Sequence, residues 1–125
     1  MTALLDTFRI SLGLSEIELA TLLDSDIGNV QSWCSGTSAP DEVYEILDNF
    51  DKDIDSAVEE SLKDIKRSFN KKKDLVVLHR HKTLEKLIEH DGSEWISLGA
   101  HAIYIWRLAA ALDSKGFSWD IEWSS

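Results

Sequence analysis

The sequence contains one cysteine and one proline in 125 residues, and it has no long apolar run. Cys34 alone cannot form an internal disulfide, which is typical of proteins that fold in the reducing cytoplasm. No apolar segment approaches the roughly 20 residues that a membrane-spanning helix needs, and the N-terminus lacks the basic and apolar regions of a secretory signal. These absences predict a cytoplasmic protein without a membrane partner.

Positive charge is scarce in the first 50 residues. They contain nine acidic residues and a single base, Arg9, whereas residues 51–125 contain fourteen acids and twelve bases. Nine of those twelve bases lie between Lys63 and Lys86. Because non-specific DNA binding depends mainly on lysine and arginine, the first half predicts little affinity of that kind.

The remaining composition is that of a globular protein, with 43% apolar residues. Apolar periodicity predicts five helices in residues 1–70. The first runs from about Thr2 to Leu12. The second follows Ser15 and buries Ile17, Ala20 and Leu23, and the third lies between Asp26 and Gly36 and buries Val30 and Trp33. The fourth helix is marked by Val43, Ile46, Leu47 and Phe50, and the fifth by Ile54, Ala57, Val58, Leu62, Ile65 and Phe69.

Several residues at the predicted helix ends favour these boundaries. Ser15 followed by Glu18 forms a capping-box pattern, and Asp26 or Ser25 is suited to cap the third helix. Pro40 is suited to the first turn of the fourth helix, two residues after a Ser38 cap.

The pattern changes after the polar segment "NKKKD". The run "LVVLH" predicts a strand, and "LEKLIEH" predicts a short helix. In "FSWDIEW", apolar residues alternate with polar ones, which predicts a strand with Phe117, Trp119, Ile121 and Trp123 on one side. The C-terminal segment is therefore expected to be a small α+β part.

Between these two strands, "SLGAHAIYIWRLAAALDSKG" predicts a helix that is apolar almost all round. Its polar exceptions, His101, Tyr104 and Arg107, share one narrow stripe. Such a helix must be covered on most sides, either by the N-terminal half of its own chain or by a second copy. We favour a homodimer, because two-fold dimers are the commonest oligomers and aromatic residues are enriched in interfaces. The predicted dimer residues are Trp95, Ile103, Trp106, Trp119 and Trp123.

The run "LSEIELATLLDSDIGNVQSWCSGTSAP" resembles the helix-turn-helix of the Cro-like (XRE) family. Ala20 matches the small residue where the two helices cross, and Val30 follows ten residues later. Trp33, Gly36 and Pro40 match the family's W-x-x-G-x-x-x-P ending. The match departs from the family at Asp24, where glycine is usual in the turn. The resemblance implies a mainly α fold, with a helix-turn-helix domain over 1–70 and a C-terminal dimerisation part over 74–125.

The family uses the outer side of the third helix to contact base edges. The positions that correspond here, and the residue beside them, imply base contacts by Ile27, Gly28, Asn29, Gln31 and Ser32. Gln31 is suited to an adenine edge and Ile27 to a thymine methyl group. For the DNA backbone we expect Thr37 and Ser38, together with Lys71, Lys72 and Lys73.

The whole layout is similar to that of anti-CRISPR-associated repressors. The similar segments are "SWCSGTSAPDEVYEIL" and "HDGSEWISLGAHAIYIWRLAAAL". This likeness implies a homodimeric transcriptional regulator that binds double-stranded DNA, a repressor of its own operon for example.

The distribution of charge along the sequence also fits a second function. If residues 63–86 lie beside the helix-turn-helix, their basic side chains would flank the DNA groove. A run of charged residues more often forms a solvent-exposed face, however. In that case the acidic first half favours an interaction module that binds a basic protein partner.

The remaining polar residues give weak indications of chemistry. The four histidines, His79, His81, His90 and His101, are not accompanied by paired cysteines, an H-E-x-x-H motif or a glycine-rich phosphate loop. Cys34 has no base next to it in sequence to lower its pKa. We therefore expect no catalytic activity, no cofactor and no metal site.

Overall fold

The chain forms six α-helices and two β-strands within residues 1–92 and 95–124, which are the residues that the computed structural model describes. The N-terminal elements are α1 (Leu4–Ser11), α2 (Glu16–Leu23), α3 (Ile27–Cys34) and α4 (Asp41–Ser68). The C-terminal elements are β1 (Leu75–Arg80), α5 (Leu84–Asp91), α6 (Leu98–Ser114) and β2 (Ser118–Trp123). The predicted mainly α fold with a small α+β part is confirmed.

The beginnings of α2 and α3 follow from their capping residues. The Ser15 hydroxyl accepts a hydrogen bond from the Glu18 amide at 3.0 Å, and the Ser15 amide donates to the Glu18 carboxylate at 2.8 Å. The predicted capping box is therefore confirmed. The Asp26 carboxylate accepts a hydrogen bond from the Gly28 amide and caps α3, so that Asp26 rather than Ser25 is the cap.

The buried side of α2 differs from the prediction. Leu19 and Ala20 are buried, whereas the Ile17 side chain is 71% exposed. The prediction that Ile17 is buried was wrong, because only one side of this eight-residue helix faces the core and Ile17 lies on the other. Val30 of α3 is fully buried, and Trp33 packs at the edge of the same core.

The helix α4 corrects the predicted number of helices. It is a single 28-residue helix, about 42 Å long, where two helices were predicted. The residues before Asp41 also differ from the prediction, since Pro40 is the N-cap residue and lies just outside the first turn. The apolar spacing runs through α4 without interruption, and this continuity favours one helix.

Two hydrophobic clusters lie along α4. The first contains Val30, Val43 and Leu47 together with residues of α1 and α2. The second contains Val58 with residues of both strands and of α6. Because α6 packs on α4 and contributes to both clusters, most of its apolar surface is covered by its own chain.

The two strands form a parallel pair, in which Leu75 lies opposite Ser118 and Arg80 opposite Trp123. A parallel pair needs a long crossover connection, and here the crossover consists of α5 and α6. Along β2 the side predicted to be apolar is only partly covered: Phe117, next to the strand, is buried, whereas Trp123 is 53% exposed.

The turn between α1 and α2 packs directly on the start of α6. The fully buried Ser97 caps α6 through the Ala100 amide, and its hydroxyl also donates to the Gly13 carbonyl oxygen at 2.9 Å. Gly13 and Gly99 meet backbone to backbone, and a Cβ atom on either would overlap the other. This contact joins the first helices to the C-terminal part of the chain.

Candidate nucleic-acid interface

The turn between α2 and α3 contains a residue in the left-handed region. Asp24 ends α2 in the left-handed region, with φ 50° and ψ 47°. It is the one non-glycine residue with positive φ among the residues that the structure describes. Aspartate tolerates this conformation better than most residues do, which explains how it occupies a position where glycine is usual. The αL turn then brings Ala20 and Val30 into the same core.

The outer side of α3 is open in the described structure. Gly28, Asn29, Gln31 and Ser32 are exposed. Ile27, the other predicted base-edge residue, is half-buried and packs against the first hydrophobic cluster. The structure therefore brings four of the five predicted residues together on one accessible surface, and Ile27 shares in the packing beneath them.

The residues predicted for the DNA backbone fall into two separate places. Thr37 and Ser38 are exposed just beyond the end of α3, and the Thr37 hydroxyl accepts a hydrogen bond from Ser32. Lys71–Lys73 follow the last turn of α4, at the end opposite to α3, and the Lys71 ammonium group lies 5.4 Å from the centre of the Phe117 ring. Within one chain these lysines cannot flank α3.

The surface around α3 is acidic. Asp24 and Asp26 are both exposed. Arg9 is the one base in residues 1–50, and its side chain binds groups in α1 and in the turn that follows it. Its guanidinium donates to the Asp6 carboxylate at 2.7 Å and to the Leu14 carbonyl oxygen at 2.8 Å. The open side of α3 is therefore bordered by carboxylates and has no base from residues 1–50 to offset them.

Cys34, at the end of α3, is partly buried. Burial raises the pKa of its thiol, and the neighbouring Arg9 guanidinium only partly opposes this effect. A raised thiol pKa disfavours the reactive thiolate.

The predicted dimer residues differ in exposure. Trp106 and Trp123 are 62% and 53% exposed, and Trp119 packs edge-on against Trp106 with ring centres 6.1 Å apart. Ile103 is half-buried. Trp95 is half-buried and contacts the His101 and Tyr104 rings of its own chain. Trp106 and Trp123 are therefore the exposed members of this set, and the Arg80 guanidinium lies 4.6 Å from the centre of the Trp123 ring.

Sequence reasoning did not anticipate the partners of the polar stripe on α6. His101 lies 3.2 Å from the Asp91 carboxylate, Tyr104 shares a hydrogen bond with Ser61, and Arg107 forms ion pairs with two carboxylates of α4. All three side chains thus bind other parts of the same chain. The stripe itself was visible in the sequence, but its partners are distant in sequence and could not be read from spacing.

No group of three or more metal-ligating side chains is arranged to hold a metal ion in residues 1–92 and 95–124. Over the same ranges, no helix is both long and apolar enough to cross a bilayer.

Comparisons with protein-family models and with curated proteins found no match to this chain.

Proposed function

We propose that the protein is a sequence-specific DNA-binding regulator of transcription, which reads double-stranded DNA with α3. The observation that carries this proposal is the open side of α3. Four small or polar residues, Gly28, Asn29, Gln31 and Ser32, are exposed there, while Val30 anchors the opposite side in the core. A helix held in this way presents its polar side chains to a major groove, which is wide enough to admit it.

The chemistry of these side chains suits base recognition. The Gln31 and Asn29 amides each have a donor and an acceptor, which match the N6 and N7 atoms of adenine. Gly28 has no side chain and allows the start of α3 to approach the DNA closely. Thr37 and Ser38 are suited to donate hydrogen bonds to phosphate oxygens.

The acidic residues near α3 predict that DNA affinity depends more on base contacts than on positive charge. A protein that neutralises many phosphates loses affinity steeply as salt rises. Because the Arg9 guanidinium is bound to Asp6 and Leu14, the residues near α3 provide little attraction for DNA phosphates. We expect weak non-specific binding, a shallow salt dependence, and specificity that depends on the amide and hydroxyl side chains.

Neutralising Asp24 and Asp26 together is expected to strengthen DNA binding about tenfold at low salt, because each carboxylate repels nearby phosphates by on the order of 0.5–1 kcal/mol. The variant Asp24→Asn/Asp26→Asn should fold normally, since asparagine is also a good N-cap and tolerates the left-handed conformation. Gel-shift titration on the DNA upstream of the protein's own gene, over a salt series, measures the effect.

The matched control is Glu59→Gln/Glu60→Gln, which removes the same charge from exposed positions of α4. It should change DNA affinity much less than the α3 variant does. An equal gain from both variants would show a general charge effect, and the absence of a specific complex at any salt concentration would contradict DNA binding.

The exposed carboxylates at Asp24 and Asp26 favour a second candidate, an interaction module for a basic protein. This function predicts the opposite response, because the same asparagine variant would lose attraction to the partner. Binding to an oligolysine peptide, measured by fluorescence anisotropy, separates the two candidates: a regulator gains DNA affinity in the variant, whereas a protein-binding module loses peptide affinity.

We further propose that the protein acts as a homodimer through its C-terminal part, supported by the exposure of Trp106 and Trp123. Light scattering at micromolar concentration should give twice the 14.1 kDa mass of the chain. Trp106→Ser should weaken the dimer at least about tenfold, because buried tryptophans are frequent interface hot spots. Ile17→Ser, at a 71% exposed apolar position of α2, is the control and should leave the mass unchanged. A monomer of the wild-type protein at these concentrations would refute the dimer.

A further inference from the structure

Three of the four histidines meet at one place in the fold, although they belong to different elements. His81 directly follows β1, His90 lies in the last turn of α5, and His101 lies in α6. The rings of His81 and His90 are stacked, with centres 4.9 Å apart and planes inclined by 19°. The His101 ring lies 6.0 Å from that of His81. We call these three residues the histidine cluster.

Two of the three rings are shielded from water, whereas the His90 side chain is exposed. His81 is 5% exposed and His101 is 1% exposed, and the His81 Nδ1 atom is buried without a hydrogen-bond partner. A charged His101 ring would lose its hydration at this depth, and the arrangement therefore fits a neutral His101 imidazole.

Negative charge around the cluster is limited. The Asp91 carboxylate lies 3.2 Å from the His101 Nε2 atom and can balance one imidazolium ion. Arg80, at the end of β1, adds positive charge on the same side and disfavours protonation of His101. On α5 itself, the Lys86 and Glu89 side chains are exposed.

The acidic residues of α4 that face α6 are already paired. Asp51 and Asp55 each form an ion pair with Arg107, at 2.8 and 2.9 Å. The hydroxyl group of Tyr104, next to the cluster, is hydrogen-bonded to Ser61. Thus a first proton on the cluster has Asp91 as its counter-ion, whereas a second would place two positive rings about 5 Å apart, with no further carboxylate from residues 1–92 and 95–124 to balance them.

The short helix α5, which contributes His90 to the histidine cluster, has few buried residues. It has eight residues, of which only Leu87 is buried, and an isolated helix of that length is not stable in water. His90 and Asp91, at its end, contact His81 and His101 respectively. Loss of these two contacts leaves Leu87 as the main anchor of α5.

We propose that the histidine cluster is a pH-sensitive latch, which holds α5 against β1 and α6 while the imidazoles are neutral and releases it when a second imidazole is protonated. This inference is independent of DNA binding. Because Leu84 of α5 borders a cavity of about 470 Å³ that Arg9, Gly13 and Leu98 also line, release of α5 would remove Leu84 from the wall of that cavity.

The direction of the pH effect follows from the burial of His101. Burial lowers the pKa of His101, and the Asp91 carboxylate opposes this shift only in part. Unfolded or released histidine binds protons more readily, with a pKa near 6.5. The closed state is therefore favoured above about pH 6.5, and it loses stability as the pH falls below that value towards the pKa of the folded state.

Hydrogen exchange of the α5 amides, measured by mass spectrometry from about pH 7.5 to about pH 5.5 and corrected for intrinsic rates, tests the latch. With EDTA present throughout, we expect α5 protection to fall about tenfold or more over this range, while α1–α3 remain protected. Simultaneous loss in α1–α3 would mean global unfolding and would overturn the proposal.

Variants separate protonation from simple loss of packing. His101→Gln should remove most of the pH dependence of α5 protection, whatever its effect on the protection itself. Asp91→Asn should move the midpoint to a higher pH by at least about half a unit, because the carboxylate that lies 3.2 Å from His101 is lost. The matched control is His79→Gln, at an exposed position of β1 outside the cluster. It should leave the profile unchanged, and an equal response to His79→Gln and His101→Gln would overturn the latch.

Discussion

Replacing Gly13 with alanine is expected to lower the free energy of unfolding by about 2–5 kcal/mol. Two penalties act together at this position. Gly13 has a φ of 72°, which is costly for any residue with a Cβ atom, and that Cβ would overlap the backbone of Gly99 and lie 2.6 Å from the Ala100 amide nitrogen. Backbone atoms at the start of α6 cannot move aside as a flexible side chain can, so the first helices and α6 must separate.

The matched control is Gly116→Ala. Gly116 also has a positive φ, 85°, but no atom lies within 4 Å of the position that a Cβ atom would occupy. Gly116→Ala is therefore expected to lower the free energy of unfolding only by the conformational penalty, about 1–2 kcal/mol. Urea unfolding followed by circular dichroism gives both values. Equal losses in the two variants would show that the contact between Gly13 and Gly99 is not close in solution.

A proline in the middle of α4 is expected to cost about 3 kcal/mol or more. Lys52 is exposed, so Lys52→Pro changes little side-chain packing. It removes an amide from a continuous helix and forces the preceding turn apart. The kink would also disturb Asp51 and Asp55, which hold Arg107 of α6.

Lys52→Ala removes the same side chain without a backbone effect and should change stability by no more than about 0.5 kcal/mol. The comparison distinguishes one helix from two, because a proline in a loop between two helices would be tolerated. If Lys52→Pro were as stable as Lys52→Ala in urea unfolding, the continuous α4 would be wrong.

Local sequence signals were sufficient for much of the proposed DNA-binding surface. The Ser15–Glu18 capping box was predicted correctly, and Asp26 was one of the two residues predicted to cap α3, since these hydrogen bonds join residues two or three positions apart. The exposure of Gln31 and the burial of Val30 follow from helical periodicity. The prediction of two helices in place of α4 failed, although the apolar spacing of α4 is continuous. The prediction that Ile17 is buried also failed, because periodicity alone does not show which side of a short helix meets the core.

By itself, then, the sequence determined the helix beginnings around α2 and α3, the strand character of both β-segments, and the uneven distribution of charge. These features depend on neighbours along the chain. Only the tertiary structure decided that Lys71–Lys73 lie far from α3 and that His81, His90 and His101 share one cluster. The physical reason is that these relations join residues of separate elements, and their distances depend on how α4 and α6 pack rather than on any spacing within one segment.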